Sequence, residues 1–126
     1  MIIENEISRI IIGTAIKLHQ DLGPGLLESA YETALAFELR EKGLNVRQQA
    51  AMPFVYKEIR QDIGYRIDLI VENKVIVELK SVEALASVHF CQTLTYLKLS
   101  GLKLALLINF NVPVLKDGVH RIVNKL

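Results

Sequence analysis

Two short runs of alternating apolar residues stand out in the middle of the chain, on either side of residues 72–74. The side chains that recur at every second position are Ile67, Leu69 and Val71 in the first run, and Val75, Val77 and Leu79 in the second. A period of two is typical of a β-strand with one buried face. The pattern therefore predicts a β-hairpin within residues 63–80, with a three-residue loop at residues 72–74.

A loop of this length determines which hairpin residues face each other. The predicted pairs on the apolar face are Val71 with Val75, Leu69 with Val77, and Ile67 with Leu79. Asp68 then lies opposite Glu78 on the other face, and Lys80 lies two residues further along that face. These three polar residues are the first candidates for chemistry.

Two acids placed directly across a strand pair repel each other, because their β-carbons are only about 4.5–5.5 Å apart. Lys80 or a divalent cation can offset that repulsion, and oxygen ligands of this kind suit Mg²⁺. The competing interpretation is that both acids lie on the wet face of an amphipathic hairpin, with Lys80 as a surface counter-ion. The hairpin alone leaves both interpretations open.

The rest of the chain alternates between helical and extended patterns. Helical spacing covers residues 3–20, 26–42 and 82–99, and the sequence Gly-Pro-Gly at 23–25 separates the first two helices. Extended segments are predicted at 46–52 and 54–59 on either side of Pro53, at 102–110, and at 119–123. This order predicts an α/β fold with one mixed sheet flanked by helices.

Length and composition indicate one domain that spans residues 1–126. Hydrophobic residues make up 51% of the chain, a surplus that predicts a subunit interface, most simply in a homodimer. No apolar run approaches the roughly 18 residues of a membrane span, and Glu4 and Glu6 lie where a secretory signal would be positive. The single cysteine excludes an intrachain disulfide. We expect a cytoplasmic protein without membrane segments.

The charge balance argues weakly against nucleic acid as a partner. The net charge is only +1, whereas a protein that binds the phosphate backbone usually carries a basic surface. A small enzyme can still concentrate its positive charge on one face. The net charge therefore leaves nucleic acid open.

Two further pairs of polar residues lie one helical turn apart. Glu28 and Glu32 begin the second predicted helix, where acids are also favoured by the helix dipole alone. Gln92 and Tyr96 lie on the third predicted helix, where they can bind a phosphate, hold a catalytic acid in place or simply border the core. Neither pair is specific by itself.

Taken in order, these residues resemble the PD-(D/E)xK nuclease superfamily: Asp68 on one strand, the sequence ELK at 78–80 on the next, and QTLTY at 92–96 on the following helix. The sequence GLLESAY at 25–31 is similar to the motif of the compact GxxExxY proteins within that superfamily. Ile67 replaces the proline that often precedes the first acid.

The resemblance implies a restriction-endonuclease-like αβββαβ core and a site that uses Mg²⁺ or Mn²⁺ to hydrolyse phosphodiester bonds, in DNA in preference to RNA. It implies that Asp68, Glu78 and the carbonyl of Leu79 hold the metal, and that Glu28 completes the acid cluster directly or through water. Lys80 would act on the attacking water. Gln92 and Tyr96 would orient the substrate strand or Lys80.

Two alternatives to a nuclease remain at this point. The first is a non-catalytic module on the same fold that binds nucleic acid or an unidentified protein partner. The second treats the hairpin acids as surface charges and the apolar surplus as an oligomer interface. Only a response to metal distinguishes a metal site from surface acids, because removing repelling acids stabilises the metal-free protein in both cases.

Overall fold

The computed structural model describes residues 2–126, which form three α-helices and five β-strands. The helices are α1 (Glu4–Leu22), α2 (Glu28–Glu41) and α3 (Ser87–Ser100). The strands are β1 (Val46–Tyr56), β2 (Ile59–Val71), β3 (Val75–Lys80), β4 (Leu104–Asn109) and β5 (Val119–Val123), with a 3₁₀ turn at Leu115–Gly118.

The strands form one mixed sheet in the order β1-β2-β3-β4-β5. β1, β2 and β3 pair antiparallel, β3 and β4 pair parallel, and β5 returns antiparallel along β4. α3 is the crossover helix that a parallel β3–β4 pair requires. The predicted α/β fold with a mixed sheet flanked by helices is confirmed.

Two apolar clusters, one on each side of the sheet, form the core. The larger joins buried residues of α1 and α2 to one sheet face, including Ile11, Leu35 and Val77. The smaller joins Leu97 of α3 to residues such as Ile76 on the other face. β3 and β4 are buried along almost their whole length because helices cover both faces.

The predicted division of the first strands was wrong. Pro53 lies inside the single long strand β1, and the chain turns at Lys57 and Glu58 before β2 begins. At Pro53 the register shifts, so that residues 62–64 of β2 oppose this one residue. Proline is tolerated there because a bulge needs no ladder hydrogen bond from its nitrogen. The third helix also begins at Ser87, later than predicted.

The predicted hairpin is confirmed around its loop and differs near the acids. Val71 pairs with Val75 and Leu69 pairs with Val77, as expected, but the ladder stops there. Ile67 joins the apolar cluster on the α3 side instead of the face that Leu69 shares with α1 and α2. β2 therefore changes its buried face at Asp68.

Candidate functional site

The two predicted acids lie where the β2–β3 ladder ends. The backbone N–H of Leu79 donates to Oδ2 of Asp68 over 2.9 Å, and the backbone N–H of Asp68 donates to Oε2 of Glu78 over 3.2 Å. Each carboxylate thus accepts a bond that regular strand pairing would give to a carbonyl. The strands themselves hold the two carboxylates side by side.

Glu78 is buried, with only 7% of its surface exposed. Burial, followed by the charge of Asp68, raises the pKa of Glu78 to about 9. The positive charge of Lys80 acts in the opposite direction without cancelling this effect. In the absence of a cation, Glu78 therefore keeps a proton at neutral pH.

Lys80 ends β3 and is half-buried. Its carbonyl accepts the backbone N–H of Phe110 over 2.8 Å, which joins this end of the strand to β4. The next turn of chain is fixed by the buried Asn109, whose side chain bonds both the N–H and the carbonyl of Val82. Sequence analysis missed Asn109, although a polar residue inside the apolar segment 102–110 was the available signal.

Glu28 lies at the same end of the sheet, as the first residue of α2. Its Oε2 accepts the backbone N–H of Ser81 over 3.4 Å, directly after Lys80. The buried Tyr31 fixes the preceding turn, because its hydroxyl donates to the carbonyl of Gly23 over 2.6 Å and accepts the N–H of Leu26 over 3.1 Å. Tyr31, the last residue of the GLLESAY sequence, thus fixes the turn after which α2 begins at Glu28.

The structure does not place Glu28 in one cluster with the other two acids. Across residues 2–126, no three histidine, cysteine, aspartate or glutamate side chains come together as a potential metal site. The predicted contact of Glu28 through water stays a prediction.

On α3, Tyr96 lies close enough to Asp68 and Glu78 to feel their charges, whereas Gln92 makes no hydrogen bond to either acid. Burial raises the pKa of Tyr96, and the charges of Glu78 and Asp68 add to this effect. Gln92 is exposed on the same helix. Tyr65 of β2, which sequence analysis missed, stacks on Tyr96 with ring centroids 4.7 Å apart, and its hydroxyl is buried without a partner among the described residues.

A polar chain that was also missed connects α2 to Asp68. Nε2 of Gln49 donates to Oε1 of Glu32 over 2.6 Å and to Oδ1 of Asp68 over 3.2 Å. The helix dipole alone, which the sequence offers as a reason for Glu32, does not include this contact with β1. No local sequence pattern indicates this contact, because it joins distant segments.

The donor set fits a hard divalent cation. Asp68, Glu78 and the carbonyl of Leu79 supply only oxygen atoms, and Mg²⁺ is commonly held by one or two carboxylates together with water. A bound cation would stabilise the ionised form of the buried Glu78 carboxyl beside Asp68, because it would replace the proton and offset the repulsion between the two acids.

At this end of the sheet Glu78 is buried beside the half-buried Asp68, and Lys80 follows two residues further along β3, which is the order of residues that the resemblance predicted. The family model described as PD-(D/E)XK nuclease superfamily matches residues 5–122. The chain therefore belongs to the PD-(D/E)XK nuclease superfamily. Membership implies a nucleic acid substrate, and these nucleases generally use divalent metals such as Mg²⁺.

A search of curated proteins and a search of solved structures each found no match. None of the helices in residues 2–126 is both long and apolar enough to span a bilayer.

Proposed function

We propose that this protein is a nuclease that uses Mg²⁺ or Mn²⁺ to hydrolyse phosphodiester bonds, and that its active site is the end of β3. One observation carries the proposal: the strands hold Asp68 and Glu78 together through crossed backbone bonds of 3.2 and 2.9 Å, with Lys80 two residues further along β3. The burial of Glu78 beside Asp68 argues against a plain surface pair, because a buried charged carboxylate is costly without a compensating partner.

In this proposal Asp68, Glu78 and the carbonyl of Leu79 hold the metal, and Glu28 completes the acid cluster through water. The chemistry supplied by a bound Mg²⁺ or Mn²⁺ is activation of water and neutralisation of charge at the phosphate. Lys80 orients the attacking water and offsets negative charge that develops at phosphorus. Gln92 and Tyr96 donate hydrogen bonds to the substrate strand from α3.

The sequence GLLESAY supports a place among the GxxExxY proteins, since Tyr31 fixes the turn that positions Glu28. We further propose DNA as the preferred substrate over RNA, and a homodimer as the state in solution. Exposed apolar side chains such as Leu27 and Phe37 support an interface, because 78% and 58% of their surfaces are accessible to solvent.

The first test is the shift in melting temperature that Mn²⁺ produces in the metal-free protein. Wild type should be stabilised, because a ligand that binds only the folded state raises the melting temperature. Asp68→Asn should lose this shift, whereas Asp62→Asn should keep it, because Asp62 lies exposed on the same strand. A wild type that shows no shift at millimolar Mn²⁺ would refute the metal site.

The same variants separate the nuclease from a non-catalytic binding module. A nuclease loses cleavage in Asp68→Asn. A module retains its full affinity for nucleic acid in that variant and in EDTA, and cleaves nothing at any metal concentration.

A further inference from the structure

Gln49 has an unusual backbone for a residue inside a strand. Its φ is 47°, in the left-handed region that residues other than glycine rarely adopt. The β1–β2 ladder pairs Gln48 with Leu69 and Ala50 with Ile67 but omits the pair between them, Gln49 and Asp68. Such strain persists where the surroundings hold it in place and often occurs at functional sites.

The distortion gives the Gln49 amide two acceptors. Nε2 donates to Oε1 of Glu32 over 2.6 Å and to Oδ1 of Asp68 over 3.2 Å. The backbone N–H of Leu79 already holds the other oxygen of Asp68, Oδ2, over 2.9 Å. Both oxygens of this carboxylate are therefore fixed from opposite sides.

Gln48 provides an internal comparison. Its Nε2 also donates to Glu32, at Oε2 over 3.2 Å, but this side chain does not reach Asp68. Gln48 also lacks the left-handed backbone of its neighbour. The two glutamines thus share one anchor and differ in their contact with the acid pair.

We propose that Gln49 is a positioning residue for the metal-binding carboxylate of Asp68, and that Glu32 anchors it from α2. This inference rests on the proposed function, since it assumes that Asp68 binds metal. It assigns a role to two residues outside the metal ligands. Partners that orient a ligand typically contribute 10–100-fold to metal affinity or activity.

The test is Mn²⁺ affinity, measured by calorimetry on the metal-free protein. Gln49→Gly removes the amide and leaves a residue that adopts positive φ without steric cost. We expect its dissociation constant to rise about tenfold or more, whereas Gln48→Ala should stay within about twofold of wild type. Glu32→Ala should also raise the dissociation constant for Mn²⁺. When combined with Gln49→Gly it should raise that constant little further, because both residues act through one chain of hydrogen bonds.

Equal affinities for Gln49→Gly and Gln48→Ala would overturn the inference while leaving the metal site intact. A wild type without Mn²⁺ affinity would instead refute the proposed function and this inference together. Should Gln49→Gly fail to fold, Glu32→Ala decides: unchanged affinity in that variant overturns the inference, and weakened affinity supports it.

Discussion

Asp68 and Glu78 are joined through the backbones of their own strands. The N–H of Asp68 donates to the Glu78 carboxylate over 3.2 Å, while the Asp68 carboxylate accepts the N–H of Leu79, the residue after Glu78, over 2.9 Å. This crossed arrangement ends the β2–β3 ladder and brings two acids together. It also couples their charges, since the charge of Asp68 helps burial to raise the pKa of Glu78.

The first prediction concerns stability against pH in EDTA. Because the pKa of Glu78 rises from its ordinary value of 4.5 to about 9 in the fold, the folded state keeps a proton that the unfolded state loses. The stability that this group contributes is thus complete below about pH 4.5 and is lost as the pH rises towards 9. From pH 5 to 8, wild type should lose at least about 1.4 kcal/mol relative to Glu78→Gln, the equivalent of one pKa unit.

Urea unfolding at several pH values measures this difference. Glu58→Gln is the control, since Glu58 lies exposed in the β1–β2 turn and should follow wild type. If the free energy of unfolding changes with pH in the same way for wild type and Glu78→Gln, the buried carboxyl does not carry the proton.

The second prediction concerns the turn before α2. Tyr31→Phe removes the hydroxyl that bonds both Gly23 and Leu26, so that the half-buried carbonyl of Gly23 and the N–H of Leu26 each lose a partner. We expect a loss of about 1–3 kcal/mol in the free energy of unfolding. Tyr56→Phe, at an exposed position on β1, should change it by less than about 0.5 kcal/mol. If the two variants unfold alike, the turn does not depend on Tyr31.

The third prediction compares two glycines. A β-carbon on Gly64 would lie 2.2 Å from the β-carbon of Phe54, so Gly64→Ala should cost about 1–3 kcal/mol by forcing the β1–β2 pair apart. Gly13 lies inside α1 with open space around it, and Gly13→Ala should gain about 0.5–1 kcal/mol. Thermal unfolding of both variants checks the opposite signs. A stabilised Gly64→Ala protein would show that the strands do not approach so closely.

Sequence patterns predicted most of the fold because the apolar periodicities are strong and local. The helical spacing before Gly23 and the alternation from Leu69 to Val77 both appear in the structure. Pro53 misled the strand assignment, since proline usually ends a strand unless a bulge accommodates it. The change of buried face at Asp68 was not predictable from alternation, because alternation assumes that each strand keeps its faces.

The candidate site was predictable only in part for the same reason. Asp68, Glu78 and Lys80 belong to one hairpin, so their spacing in the sequence was enough to predict that they lie near one another. Gln49 comes into contact with Asp68 through a distorted backbone on another strand, and that distortion leaves no trace in the apolar pattern. Contacts of this kind depend on how distant segments pack.

The most direct test of the central claim is cleavage of single-stranded, duplex and branched DNA and RNA with Mg²⁺ or Mn²⁺, using wild type, Lys80→Ala and Lys103→Ala. Lys103 is an exposed lysine just before β4, at the opposite end of the sheet. We predict cleavage that requires metal, is abolished in Lys80→Ala and is retained in Lys103→Ala. Cleavage that persists in Lys80→Ala, or no cleavage of any substrate by wild type, would contradict the proposed nuclease site.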